Sequence, residues 1–97
     1  MSLKGKQKRH LRALGHSLSA VVQLGKDGVT ETLIAAVDQA LEDHELVKVR
    51  IGQSAVVDKG EVAELLAAKT QSQLAQILGN TFLLYRRHPE EPKIRLP

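Results

Sequence analysis

The chain contains no cysteine and no tryptophan. Without cysteine there is no disulfide scaffold and no thiolate zinc site, and a cytoplasmic location is the default expectation. Aromatics are nearly absent as well. Phe82 and Tyr85 are the whole set, too few for a module that recognises many stacked bases. No apolar run approaches the roughly 18 residues of a membrane span. The N-terminus is basic but no apolar segment follows it, so no signal peptide is expected. The sequence has no P-loop, no Gly-x-Ser-x-Gly elbow and no dinucleotide fingerprint. His10, His16, His44 and His88 lack the spacing of metal ligands and read as surface or capping residues. Nothing here calls for an enzyme, a cofactor, a metal or a small-molecule substrate.

What is present is an ordinary globular balance. The 97 residues are 42% apolar and 26% charged, which suits one domain with a thin core. The formal charge of +3 hides a segregation. Residues 1–28 hold Lys4, Lys6, Lys8, Arg9, Arg12 and Lys26 against Asp27 alone. Residues 29–80 hold eight acids against Lys48, Arg50, Lys59 and Lys69. Residues 81–97 turn basic again, with Arg86, Arg87, Lys93 and Arg95 against Glu90 and Glu91. Basic ends around an acidic middle give a one-sided potential if the fold joins the ends. The plainer reading is a set of solvated faces.

Residues 3–17 read as a helix. Leu3, Gln7, Leu11, Leu14 and Leu18 make one stripe, and Lys4, Lys8 and Arg12 a second, with Arg9 beside it. Residues 19–24 are apolar and β-branched, and predict a strand buried on both faces. Gly25-Lys26-Asp27-Gly28 ends that strand, and Thr30 is placed to cap a helix running to about Asp43. Its core face is Leu33, Ile34, Val37 and Leu41. Glu42, Asp43 and Glu45 read as the solvated end of this helix. Val47, Val49 and Ile51 alternate with Lys48 and Arg50, the pattern of a half-exposed strand. Residues 52–57 read as a loop or frayed strand end. Asp58 and Glu61 have capping-box spacing before a third helix. Residues 74–78 and 81–86 read as a hairpin around Gly79-Asn80. The tail from 89 to 97 carries three prolines and is expected to be irregular or mobile. The order is α-β-α-β-α-β-β. Each β-α-β crossover calls for parallel neighbours, and the hairpin adds an antiparallel pair. An α/β fold with a mixed four-stranded sheet packed by helices follows, as one domain over residues 1–88 with a tail from 89.

The glycine loop is the most informative local feature. Its backbone can turn tightly and lie flat against a ligand, and unpaired helix amides follow it. Such a loop can hold a nucleic-acid backbone as KH domains do, or it can be a plain strand-to-helix turn. Asp27 opposes a strong phosphate site; the basic first helix favours one. That helix could contact phosphates through Lys4, Lys8, Arg9 and Arg12, or simply keep the protein in solution. Lys48, Arg50, Arg86 and Arg87 sit on strands, where only about half of them can face any one side.

Three stretches, Leu3–His16, Val21–Glu31 and Ala40–Val49, together with Ile77–Asn80 and Leu84–Arg87, resemble the bacterial YhbY family. That family is the stand-alone form of the CRM (chloroplast RNA splicing and ribosome maturation) domain. The resemblance covers about residues 3–87. It implies a fold related to the C-terminal domain of translation initiation factor 3. It also implies RNA binding without catalysis, with bacterial members linked to precursor large ribosomal subunits. The family's GxxG loop falls on Gly25, Lys26, Asp27 and Gly28, and its basic first helix on Lys4, Lys6, Lys8, Arg9 and Arg12. Arg86 and Arg87 complete the candidate RNA-binding set as basic residues at a strand end. The expected partner is large-subunit ribosomal RNA or its precursor particle, with no membrane. The competing expectation is an adaptor that docks on a ribosomal protein through Asp38, Glu42, Asp43 and Glu45.

Overall fold

The computed structural model describes residues 3–53, 55 and 57–97. Seven elements follow the predicted order. Helix α1 spans Gly5–Gly15. Of its leucine stripe only Leu11 is fully buried, while Leu14 and Leu18 are both 37% exposed. The short strand β1, Val22–Leu24, follows. Helix α2, Glu31–His44, begins where the Thr30 hydroxyl accepts the Leu33 N–H at 3.1 Å. Strand β2 is Leu46–Ile51. Helix α3, Lys59–Lys69, begins where Asp58 Oδ1 accepts the Glu61 N–H at 3.0 Å. Strands β3, Gln73–Leu78, and β4, Thr81–Tyr85, form the hairpin. Gly79 takes φ +58° in its turn, a conformation that costs glycine least. Residues 54 and 56 of the segment read as a loop lie outside the described residues.

The sheet order is β1-β2-β4-β3. β1 and β2 pair in parallel, with Val22 opposite Val49 and Leu24 opposite Ile51. The second crossover departs from expectation. β4 inserts between β2 and β3 and runs antiparallel to both. β3 is therefore parallel to β2 without touching it. The hairpin makes this arrangement natural, because β4 can pair on both of its edges at once.

Helices α2 and α3 cover one face of the sheet. Val47, Val49, Ile51, Phe82 and Leu84 pack there with Leu33, Val37, Leu41 and Leu66. Helix α1 covers part of the other face, where Leu11 meets Leu46, Ala75, Leu83 and Tyr85. Gly15 is what lets α1 approach. A Cβ there would lie 2.5 Å from Leu83 Cδ1. Since α1 packs on β2, β3 and β4, the expectation of a first strand buried on both faces is wrong. β1 is an edge strand with Gln23 exposed and only Leu24 fully buried.

Two further expectations change. Glu45 is not solvated but is 1% exposed, with φ +64°. Its carboxylate accepts the backbone N–H groups of His88, Lys93 and Ile94 at 2.7, 2.6 and 2.7 Å. The tail has no helix or strand, yet these bonds hold it, and Ile94 and Leu96 pack on the Leu11 cluster. Proline sets the irregular backbone; the buried carboxylate fixes where it lies.

Candidate functional site

The charges separate by layer. α2 and α3 with their caps hold Glu31, Asp38, Glu42, Asp43, buried Glu45, Asp58, Glu61 and Glu64, while α1 and the four strands contain no acid. On the α1 side, Lys4, Lys6, Lys8 and Arg9 are exposed and Arg12 is half-buried. Among the described residues none of them has a carboxylate within 4.0 Å; the ion pairs there involve only Arg86 and His88. The amphipathic period of α1 produces this ridge, because burying Leu11 forces the lysines outward.

The glycine loop is exposed at the end of β1. The Gly28 N–H donates to the Gly25 carbonyl at 3.1 Å, which closes a four-residue turn. Gly28 has φ +71°, a conformation that favours glycine and that asparagine also tolerates. Gly25 is different. A Cβ there would meet nothing within 4 Å, and its φ is ordinary. Among the described residues, no contact demands a bare backbone at Gly25. The helix that follows offers less than an open N-terminus. The Thr30 hydroxyl already occupies the Leu33 amide, and Glu31 places a carboxylate in the first turn. Lys26 and Asp27 both point into solvent as exposed residues of the turn.

The candidate residues do not form one cluster. The loop lies at the sheet end where Ile51 donates to the Asn80 carbonyl. Arg86 and Arg87 lie at the opposite end, following the Leu46–Tyr85 pair. The five residue steps of β2 between these ends span about 17 Å. Lys4 also starts α1 at the far end, since Leu3 N–H bonds to Gln73 Oε1 at 3.1 Å and Gln73 pairs with Tyr85. Arg12 and His16 are the part of α1 that approaches the loop side.

Arg86 is committed internally. Its Nη1 lies 2.6 Å from Asp38 Oδ1 and 2.8 Å from the Thr70 carbonyl, and its Nη2 donates to the Asp38 carbonyl at 3.1 Å. Glu42 Oε2 is 3.5 Å away. These bonds join β4 to α2 and to the end of α3. Arg87 is exposed. Two basic strand residues that alternation places opposite Val47 and Val49 also face the α1 side: Lys48 lines a small depression with Arg12, Gly15 and His16, and Arg50 is exposed beside Gln23. Their period-two spacing is the signal that marks them.

Burial raises the Glu45 pKa, but the three backbone N–H groups and nearby His88 outweigh it, so the carboxyl sits below its ordinary 4.5. Burial pushes Tyr85 above its ordinary value, with Glu45 adding and Arg87 opposing. Neither group faces an open cleft. Among the described residues, no group of three or more His, Asp or Glu side chains could hold a metal. Among the described residues, no helix is long and apolar enough to cross a membrane.

The CRS1 / YhbY (CRM) domain model matches residues 3–86. The chain belongs to the CRM domain family. Two relatives share nearly its full length. It is 45% identical over 95 residues to "Probable RNA-binding protein YqeI" of Bacillus subtilis, spanning 98% of this chain and 99% of that one. It is 38% identical over 96 residues to a Haemophilus influenzae protein named "RNA-binding protein", spanning 99% and 96%. The solution structure of SAV1595 from Staphylococcus aureus superposes with a TM-score of 0.84 at 43% identity, covering 99% of this CRM domain and all of that chain.

Proposed function

We propose that this CRM domain is a non-catalytic, cytoplasmic RNA-binding protein that acts on ribosomal RNA of the precursor large subunit. The observation that carries the reading is the layered charge. One side of the sheet bears cations without acid partners, and an exposed glycine loop stands at its open end. Gly25 strengthens it, because a backbone left bare for no internal reason suits close approach by a sugar-phosphate chain. The names of the relatives agree with RNA as the ligand. The large-subunit assignment rests on what the YhbY resemblance implies.

In this reading Lys26 and the loop backbone contact the RNA backbone, and Lys4, Lys6, Lys8, Arg9, Arg12 and Arg87 attract it. Asp27 weakens the loop as a phosphate site. Arg86 acts as a brace behind this surface. With two aromatics, both buried, shape and phosphate contacts outweigh stacking. The adaptor reading has less to stand on. Asp38 and Glu42 are paired with Arg86 and His88, and Glu45 is buried.

The test combines two variants with ribosome sedimentation. Gly25→Ser, Lys26→Ser and Gly28→Asn together should weaken RNA binding without unfolding the domain, since asparagine tolerates positive φ. Unchanged binding removes the loop from the interface. Lys8→Gln, Arg9→Gln and Arg12→Gln should reduce the salt dependence of binding by about 2 in log-log slope. Co-sedimentation with precursor large subunits should be lost after RNase treatment; association that survives RNase and moderate salt would favour the adaptor.

A further inference from the structure

The proposed contacts leave a gap. The cationic ridge lies on α1, and the glycine loop lies beyond the edge of the sheet that α1 does not cover. Strand register fills the gap with named residues. Lys48 sits opposite Leu83, the residue under Gly15 of α1. Two steps further along the same face is Arg50, opposite Thr81 on one side and Gln23 on the other. Gln23 is two residues before Gly25. The row from Arg12 and His16 through Lys48, Arg50 and Gln23 therefore ends at the loop.

We propose that this open strip of sheet is a second phosphate-contact surface, over which Lys48 and Arg50 carry the RNA backbone from helix α1 to the glycine loop. Four observations support it. Arg12, His16 and Lys48 line one depression between α1 and the sheet. Arg50 and Gln23 are exposed where β1 and β2 pair, while α2 packs against the Val22 and Leu24 side of that edge. Neither Lys48 nor Arg50 has an acid partner among the described residues. The strip has no exposed aromatic ring, so it offers charge and hydrogen bonds to phosphates and no platform for bases. Contacts of this kind are indifferent to sequence and add to the salt dependence of binding. The inference rests on RNA being the ligand, and its test separates the two.

The probe is a fluorescein-labelled RNA hairpin with a single-stranded extension, titrated over a range of salt concentrations. Lys48→Gln with Arg50→Gln should bind roughly tenfold more weakly at low salt and lower the log-log salt slope by about 1.4 to 1.8. The loss should be the same for a second hairpin of unrelated sequence. Lys59→Gln with Lys69→Gln, at the ends of α3 on the opposite layer, removes the same net charge. This control should leave the slope at the wild-type value. Circular dichroism and thermal melting confirm that each variant folds. A wild-type slope in the strip variant, with the loop and α1 variants still impaired, overturns the strip and leaves RNA binding standing. An equal slope change in the α3 control also overturns it, because net charge alone then accounts for the effect. If the wild-type protein binds neither hairpin at low salt, the RNA reading fails and the strip fails with it.

Discussion

The carboxylate of Glu45 accepts the backbone N–H of Lys93 at 2.6 Å, across 48 residues of sequence. With His88 and Ile94 it forms a three-donor clasp that holds the tail against the α1 face. Its anionic form is the one the fold selects, since its pKa lies below 4.5. This stabilisation is complete above pH 4.5 and is lost as the pH falls through the lowered native value. Glu45→Gln should flatten that acid-side loss of stability. Glu45→Ala should cost about 3 kcal/mol by leaving buried donors unmet. Urea melts from pH 3 to 7 measure both, and faster exchange of the His88, Lys93 and Ile94 amides should report release of the tail.

Arg86→Ala should destabilise the domain by about 1–2 kcal/mol while leaving the salt slope of RNA binding unchanged. The figure is modest because its carboxylate partners are more than half exposed. Arg86→Lys should recover little, since one ammonium cannot reproduce a fork that reaches Asp38 and the Thr70 carbonyl together. Chemical denaturation beside RNA titration distinguishes this brace from a contact residue.

Tyr85 is 1% exposed, and among the described residues its hydroxyl has no hydrogen-bond partner. Tyr85→Phe should be neutral or stabilise the domain by up to about 1 kcal/mol, because it removes a buried polar group that gains nothing in return. The native pKa is raised, so the neutral hydroxyl is favoured. The associated stability is present below pH 10 and is lost as the pH rises through the native value. With one tyrosine in the chain, ultraviolet titration reads this ionisation directly, and Tyr85→Phe should be less sensitive to alkali.

Gly15→Ala sets helix propensity, worth up to about 1 kcal/mol, against a Cβ placed 2.5 Å from buried Leu83. Overpacking costs more, about 1–3 kcal/mol. A net loss in melting temperature is the expected outcome.

What could be read from the sequence was local. Thr30 and Asp58 cap their helices because a side chain reaches an amide three residues on, and that relation is written in the spacing. Val47, Val49 and Ile51 reach the core because alternation fixes their face. The Gly79-Asn80 turn follows from glycine's freedom at φ +58°. The errors came from distance. Glu45 looked solvated because its donors lie 43 to 49 residues away. The pairing of Arg86 was hidden in the same way, because Asp38 is 48 residues distant. β1 looked central because nothing in Val22–Leu24 says where α1 will stop covering the sheet. For the site, the loop and the ridge were visible in the sequence, but the strip that separates them emerged only from strand register.

The placement of β4 bears on how the chain is made. The ribosome delivers β3 before the only strand that can dock it. Without Thr81–Tyr85, β2 has an unpaired edge in addition to the free edge of β1, and the strand after the third helix has no neighbour. Only with β4 in place can both edges pair and Arg86 reach Asp38. A chain stalled or truncated before residue 81 would expose the apolar edge of β2, the kind of surface that recruits other unfinished strands. The last strand in sequence is thus the central joint of the sheet, and its absence would leave two strands unpaired.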